Sequence, residues 1–184
     1  KNLGKLQNTL KNRLYPTAAG YIVQTEKAKK IAQEKKWNRH IEVIGNPIRE
    51  ILPHPEIKKE NIVLTVGRLI KTKHIDQLIQ IFENCKQNNW KLVVVGGNAK
   101  QLNLLEEYRA MVKKASLDDK IKLVGPQKNV DQYYRKSKLF AFTSSSEGFP
   151  NVIGEAMAAG LPVIAYDCMA GPSEMIENEK TGYL

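Results

Sequence analysis

The chain predicts an α/β fold, a parallel β-sheet covered by helices on both faces. Three observations carry this reading. Short apolar runs such as Ile62-Val63-Leu64-Thr65-Val66 and Leu92-Val93-Val94-Val95 alternate with segments of helical periodicity. The runs are nearly continuous rather than alternating with polar residues, as strands buried on both faces require. Turn residues close several of them, at Gly67, Gly96-Gly97 and Gly125-Pro126.

In chain order, Leu3, Leu6, Leu10 and Leu14 have helical spacing and predict a helix ending near Tyr15-Pro16. Residues 21–25 read as a short strand, and Thr25 is placed to cap a helix over about 26–36. Residues 41–44 form a second short strand. Gly45-Asn46-Pro47 reads as a turn or hinge, and Pro53-His54-Pro55 keeps the following segment extended. A boundary is therefore expected over 46–60, dividing a small unit (1–45) from a larger one (61–184). In the larger unit, strands are expected at 62–66, 92–95, 121–124, 139–142 and 161–165, with a last one starting at Gly182. Helices are expected around Ile75 to Phe82, Leu102 to Ala115, Val130 to Tyr134, after Pro150, and from Pro172 to Glu177.

Composition removes several function classes. The 184 residues are 42% hydrophobic, enough for a substantial core. No apolar run is long enough to span a bilayer, and no signal-peptide pattern is present. Cys85 and Cys168 are far apart and lack metal spacing; His40, His54 and His74 form no ligand cluster. The cysteine usage fits a reducing compartment. No metal site and no Ser-His-Asp arrangement is expected. The net charge is +10, and residues 1–40 carry ten Lys and Arg against Glu26 and Glu34. Such a basic end can meet an anionic membrane surface or a polyanion. Solvated lysines on helices are the preferred reading, and no aromatic interleaving or module supports nucleic-acid binding.

The most informative stretch is Ser144-Ser145-Ser146-Glu147-Gly148-Phe149-Pro150-Asn151-Val152-Ile153-Gly154-Glu155-Ala156-Met157-Ala158-Ala159-Gly160. It reads as a loop that becomes a helix, with Pro150 suited to the first turn and Gly160 and Pro162 as the stop. Val152, Ile153, Ala156 and Met157 share an apolar face, and Glu155 lies off it. Two carboxylates thus flank a helix N-terminus able to hold an anion. Such an arrangement suits a phosphorylated, hydroxyl-rich ligand; two solvated glutamates are the alternative. A second loop, Gly67-Arg68-Leu69-Ile70-Lys71-Thr72-Lys73-His74, offers Arg68 and Lys73 to an anion above the strand ends. Neither a G-x-G-x-x-G after that strand nor a P-loop motif is present.

Together these loops resemble the retaining GT-B glycosyltransferases of family 4, also called group 1. The resemblance rests on Val66-Gly67-Arg68-Leu69 with Lys73 and on the frame from Glu147 to Ile164, and covers roughly residues 20–184. Glu147 and Glu155 have the family's spacing, seven residues between two glutamates. It implies a Rossmann-like doubly wound parallel sheet, the carboxyl-terminal half of a GT-B fold. It also implies roles. Arg68 and Lys73 hold the donor diphosphate beside Gly67. Glu147 contacts hydroxyls of the donor sugar near the anomeric centre, and Gly148 and Phe149 approach phosphates and sugar at the loop that leads into Pro150 and Asn151. Glu155 binds the ribose hydroxyls, and Gly125 to Gln127 lie near the base. Glu147, Arg68 and Lys73 are the residues expected to serve the reaction, with no metal and no cofactor.

The implied activity is transfer of a sugar, with retention, from a nucleotide sugar to a glycan or lipid-linked acceptor. The stretch from Asp167 to Glu174 resembles a subset that builds capsule, lipopolysaccharide or lipid-linked oligosaccharides, usually from UDP-sugars. The expected place of action is the cytoplasm, with peripheral contact at the inner membrane. A departure from the family is His74, where glycine is usual; a Cβ there would shift the loop and makes Lys71 a substitute candidate. Residues 1–45 resemble only the end of the acceptor-side domain, so a donor-binding fragment with negligible transfer of its own is expected. A non-catalytic nucleotide-sugar-binding module is the alternative.

Overall fold

A computed structural model describes residues 4–184 except 87 and 170. Leu3 of the first predicted helix, Lys1 among the basic residues of 1–40 and Ala170 within the 167–174 stretch lie outside the described residues, as do the side chains of Lys5 and Leu6. Helix α1 (Lys5–Leu14) runs into one 3-10 turn, Tyr15–Thr17. Strand β1 (Tyr21–Val23), helix α2 (Glu26–Glu34) and strand β2 (Ile41–Val43) follow, and β1 pairs in parallel with β2. Val23, Ala32 and Ile41 form the small core of this unit. Thr25 caps α2 as expected, its Oγ1 accepting from Ala28 N at 3.1 Å.

Residues 44–61 contain no helix or strand. The larger unit then alternates strictly: β3 (Ile62–Val66), α3 (Ile75–Asn84), β4 (Lys91–Val95), α4 (Leu104–Lys114), β5 (Ile121–Gly125), α5 (Asp131–Lys136), β6 (Leu139–Phe142), α6 (Asn151–Ala158), β7 (Val163–Ala165), α7 (Pro172–Met175) and β8 (Gly182–Tyr183). All six strands pair in parallel, in the order β5-β4-β3-β6-β7-β8. The chain builds outward from β3 to β5, returns to lay β6 against β3, and builds outward the other way. This is the doubly wound Rossmann-like order, and its direction reverses between β3 and β6.

The strand sequences explain the layering. Along β4, Val93 and Val95 face one core with Leu64, Phe140, Val163, Tyr134 of α5 and Ile153 of α6. Leu92 and Val94 face the other, with Ile79 and Phe82 of α3 and Leu104 and Val112 of α4. Successive side chains point to opposite faces, so an unbroken apolar run serves two cores.

Cover on both faces, as expected from the sequence, holds for β3 to β5 and fails for β7. Ile164 remains 48% exposed, and an open apolar groove of about 260 Å³ runs between Leu78 and Ile81 of α3 and Ile164 and Tyr166. The reason is the handedness of the crossovers. Helix α6 and Ile176 beyond α7 both pack with Val163 and Ala165 on the opposite face, as right-handed connections away from β3 require.

Candidate functional site

The loops after β3 and β6 leave adjacent strands at the reversal point, and backbone bonds join them. Ser145 N donates to Thr72 O at 2.9 Å, and Thr143 Oγ1 donates to Lys73 O at 2.8 Å. The loop after β4 closes on the same place. A Cβ on Gly96 would lie 1.8 Å from the carbonyl oxygen of Gly67, so only glycine permits this backbone contact.

Lys73 ends a single 3-10 turn, Lys71–Lys73. Its Nζ lies 2.6 Å from Glu147 Oε1, with both side chains 16% exposed, and 5.3 Å from the centre of the Phe142 ring. The predicted cation and the predicted loop carboxylate therefore meet, and Glu147 is not a solvated surface charge. Lys71 is exposed. His74 caps this turn and starts α3. His74 takes the left-handed conformation, φ +50° and ψ +43°, so it follows the backbone path that glycine adopts readily. Its Nε2 sits 2.8 Å from Ser145 Oγ, a further tie between the loops. Arg68 is exposed and makes no ion pair among the described residues.

Helix α6 begins at Asn151, and Pro150 is its N-cap rather than a residue of the first turn. Gly171 explains the seat of this buried proline. Its φ is +108°, and a Cβ there would stand 2.2 Å from Pro150 Cδ. Asn151 Oδ1 accepts from Asn46 Nδ2 at 2.9 Å, tying the helix start to the segment after β2. The Phe149 ring lies against Gly45, 3.5 Å from a Cβ built there, and Gly148 is exposed nearby.

Glu155 is four residues into α6 and also partly buried, at 21% exposure. Tyr134 Oη donates to its Oε2 at 2.9 Å, and Arg49 Nε donates to its Oε1 at 3.3 Å. Arg49 also pairs with Asp131, the first residue of α5. Burial, and next the Glu155 carboxylate, push the Tyr134 phenol far above its ordinary value, so it stays a donor. Arg49, Asp131 and Tyr134 were not singled out as site residues from the sequence. Arg49 comes from the irregular segment and Asp131 and Tyr134 from α5, distant from it in sequence, and Tyr134 reads there only as an apolar marker of a helix.

Gly125 and Gln127 stand on the other side. Gly125 O accepts from Gly96 N at 2.9 Å, and Gln127 Nε2 donates to Val124 O at 2.9 Å. Gly125 is thereby bonded to the Gly67–Gly96 contact, and the Gln127 side chain folds back on the end of β5. Ser144 lies in the loop after β6 as its sequence predicts, but is 1% exposed, and its Oγ has no hydrogen-bond partner. Among the described residues no three His, Cys, Asp or Glu side chains group as a metal site would require.

The geometry is one cationic and one carboxylate loop meeting at the reversal point, with a second carboxylate on the helix that follows. Solved relatives share the fold around it. The pneumococcal O-GlcNAc transferase GtfA, solved with UDP and GlcNAc, superposes with a TM-score of 0.81 at 26% identity, over 96% of this chain and 36% of GtfA. The amylovoran biosynthesis glycosyltransferase AmsD of Erwinia amylovora is 40% identical over 127 residues, which are 69% of this chain and 34% of AmsD. An uncharacterized glycosyltransferase of Haemophilus influenzae is 32% identical over 185 residues, 98% of this chain and 51% of that protein. The chain thus spans between a third and a half of these two relatives. The family model described as glycosyl transferases group 1 matches residues 47–184, from the irregular segment through both loops to the last strand. With that match over most of its length, the chain belongs to the group 1 glycosyltransferases and carries the carboxyl-terminal half of a GT-B fold.

Proposed function

We propose that this chain is the donor-binding part of a retaining glycosyltransferase that takes a UDP-sugar and serves cell-surface polysaccharide or glycolipid synthesis. The observation that carries the reading is the Lys73–Glu147 pair at the junction of β3 and β6, beside the start of α6. In open α/β sheets such a junction is where ligands bind.

In this reading Arg68 and Lys73 take the diphosphate, with the free N–H groups at the start of α6 and the Gly148–Phe149 backbone completing its neutralisation. Glu147 accepts from sugar hydroxyls and Glu155 from the ribose diol. Gly125 and Gln127 stand near the base. Charge developing on the departing diphosphate is met by protein cations, so the reaction proceeds without a metal ion. Positive charge at the anomeric carbon is offset mainly by that diphosphate, and no protein base is assigned. The acceptor, a glycan or a lipid-linked sugar, is bound mainly outside residues 46–184, and the 184-residue chain alone transfers negligibly. The proposed place of action is the cytoplasmic side of the membrane. No helix among the described residues is long and apolar enough to cross it.

Titration calorimetry with UDP-, GDP- and ADP-sugars, with and without EDTA, tests this. A UDP-sugar gives heat and EDTA changes nothing. Silence toward every donor at millimolar concentration refutes the donor site, and loss of binding with EDTA refutes metal independence. Arg68→Ala weakens UDP binding by about 1.5–3 kcal/mol, as for a hydrogen bond to a charged group; unchanged affinity removes Arg68 from the site.

A further inference from the structure

A carboxylate that accepts from a ribose diol works best when its oxygens are already aimed. A free glutamate on a helix samples several rotamers and loses that freedom on binding. Glu155 does not have that freedom. Its Oε2 is held by Tyr134 Oη at 2.9 Å, from a side chain with 0% exposure, and its Oε1 by Arg49 Nε at 3.3 Å. Arg49 is fixed in turn by Asp131. A carboxylate offers about four lone-pair sites, so two remain for two further donors.

We infer that Arg49 and Tyr134 are positioning residues for ribose recognition: they aim Glu155 at a vicinal diol, and one of them is supplied by the segment linking the two units. The inference rests on the ribose role proposed above for Glu155. It goes further in tying affinity for the nucleoside to a residue outside the sheet and its helices. Arg49 lies between Asn46, bonded to Asn151, and Ile51, buried in the main core, so its placement follows that of the linker.

Calorimetry on the 184-residue chain with UDP and 2′-deoxy-UDP tests this in wild type, Arg49→Ala and Tyr134→Phe. Arg49 is 45% exposed and Tyr134→Phe keeps the buried ring, so both variants fold. Wild type prefers UDP by about tenfold, the loss expected for one hydrogen bond to a charged acceptor. In each variant the preference shrinks by about threefold or more, a coupling that general loosening of the fold does not produce. An unchanged preference in both variants overturns the inference. So does tighter UDP binding by Arg49→Ala, which makes Arg49 a competitor for Glu155. Wild type that binds UDP without any 2′-hydroxyl preference ends the ribose role and this inference together. Wild type that binds no UDP ends the donor-site reading itself.

Discussion

Glu147 and Glu155 are the same residue type, eight positions apart, and they are held by different means. Glu147 sits in a loop and answers to a single cation, Lys73, whose own loop is bonded to it. Glu155 sits on a helix and is gripped by two donors from two other segments, one of them buried. The first arrangement leaves a carboxylate free to change partner when a ligand brings hydroxyls or phosphate. The second fixes a carboxylate before any ligand comes. In the proposed reading one side chain responds to the ligand and the other recognises it.

The largest expected effect lies at the fixed carboxylate. Glu155→Ala leaves the Tyr134 hydroxyl buried without its acceptor and lowers stability by about 1–3 kcal/mol, measured by urea unfolding. An unchanged midpoint means the grip is not there. The next effect is on pH. The Tyr134 phenol has a raised pKa in the fold, so the folded chain holds its proton above the ordinary tyrosine value of 10.0 while the unfolded chain loses it. Stability therefore falls as pH rises past about 10. Tyr134→Phe makes that fall shallower, though Tyr21 and Tyr108, also raised by burial, keep part of it. A slope identical to wild type removes Tyr134 as its source. The smallest stability effect belongs to the responsive carboxylate. Glu147→Ala lowers stability by about 1 kcal/mol, because it frees one flexible lysine and strands no fully buried hydroxyl. Its effect is on binding, sparing UDP and weakening the UDP-sugar. Should Glu147→Ala destabilise more than Glu155→Ala, the contrast between the two is reversed.

Much of this is readable in the residues, and unevenly. Strands such as Ile62–Val66 are legible because an unbroken apolar run of that length has few other fates. The two glutamates and Lys73 are legible because their spacing fits a family frame. The bare side of β7 is not, since Ile164 looks as apolar as its buried neighbours; the direction of each crossover decides which of them is covered. Tyr134 is a similar case, because periodicity reports its buried ring and is blind to its hydroxyl. Arg49 gives no local signal at all, since its partners Asp131 and Glu155 lie 82 and 106 positions away. His74 was the reverse case. Its identity argues for a displaced loop, and sequence alone does not reveal its left-handed backbone or its ring bond to Ser145.

Ile51 has a mechanical meaning. It lies in the irregular stretch after β2, yet is 1% exposed among Phe140, Tyr134 and Ile153. The chain is thus riveted to the large unit soon after leaving the small one. Any swing of the two-stranded unit must be taken up by torsions over residues 44–50, a tether of about 25 Å at full stretch. At rest even that swing is latched: Glu174 receives the backbone N–H of Glu26 at 2.7 Å and of Lys27 at 3.1 Å, clasping the start of α2. The start of α2 is thus held at Glu174 and the linker at Asn151 and in the main core, so Arg49 sits on a stretch fixed at both ends.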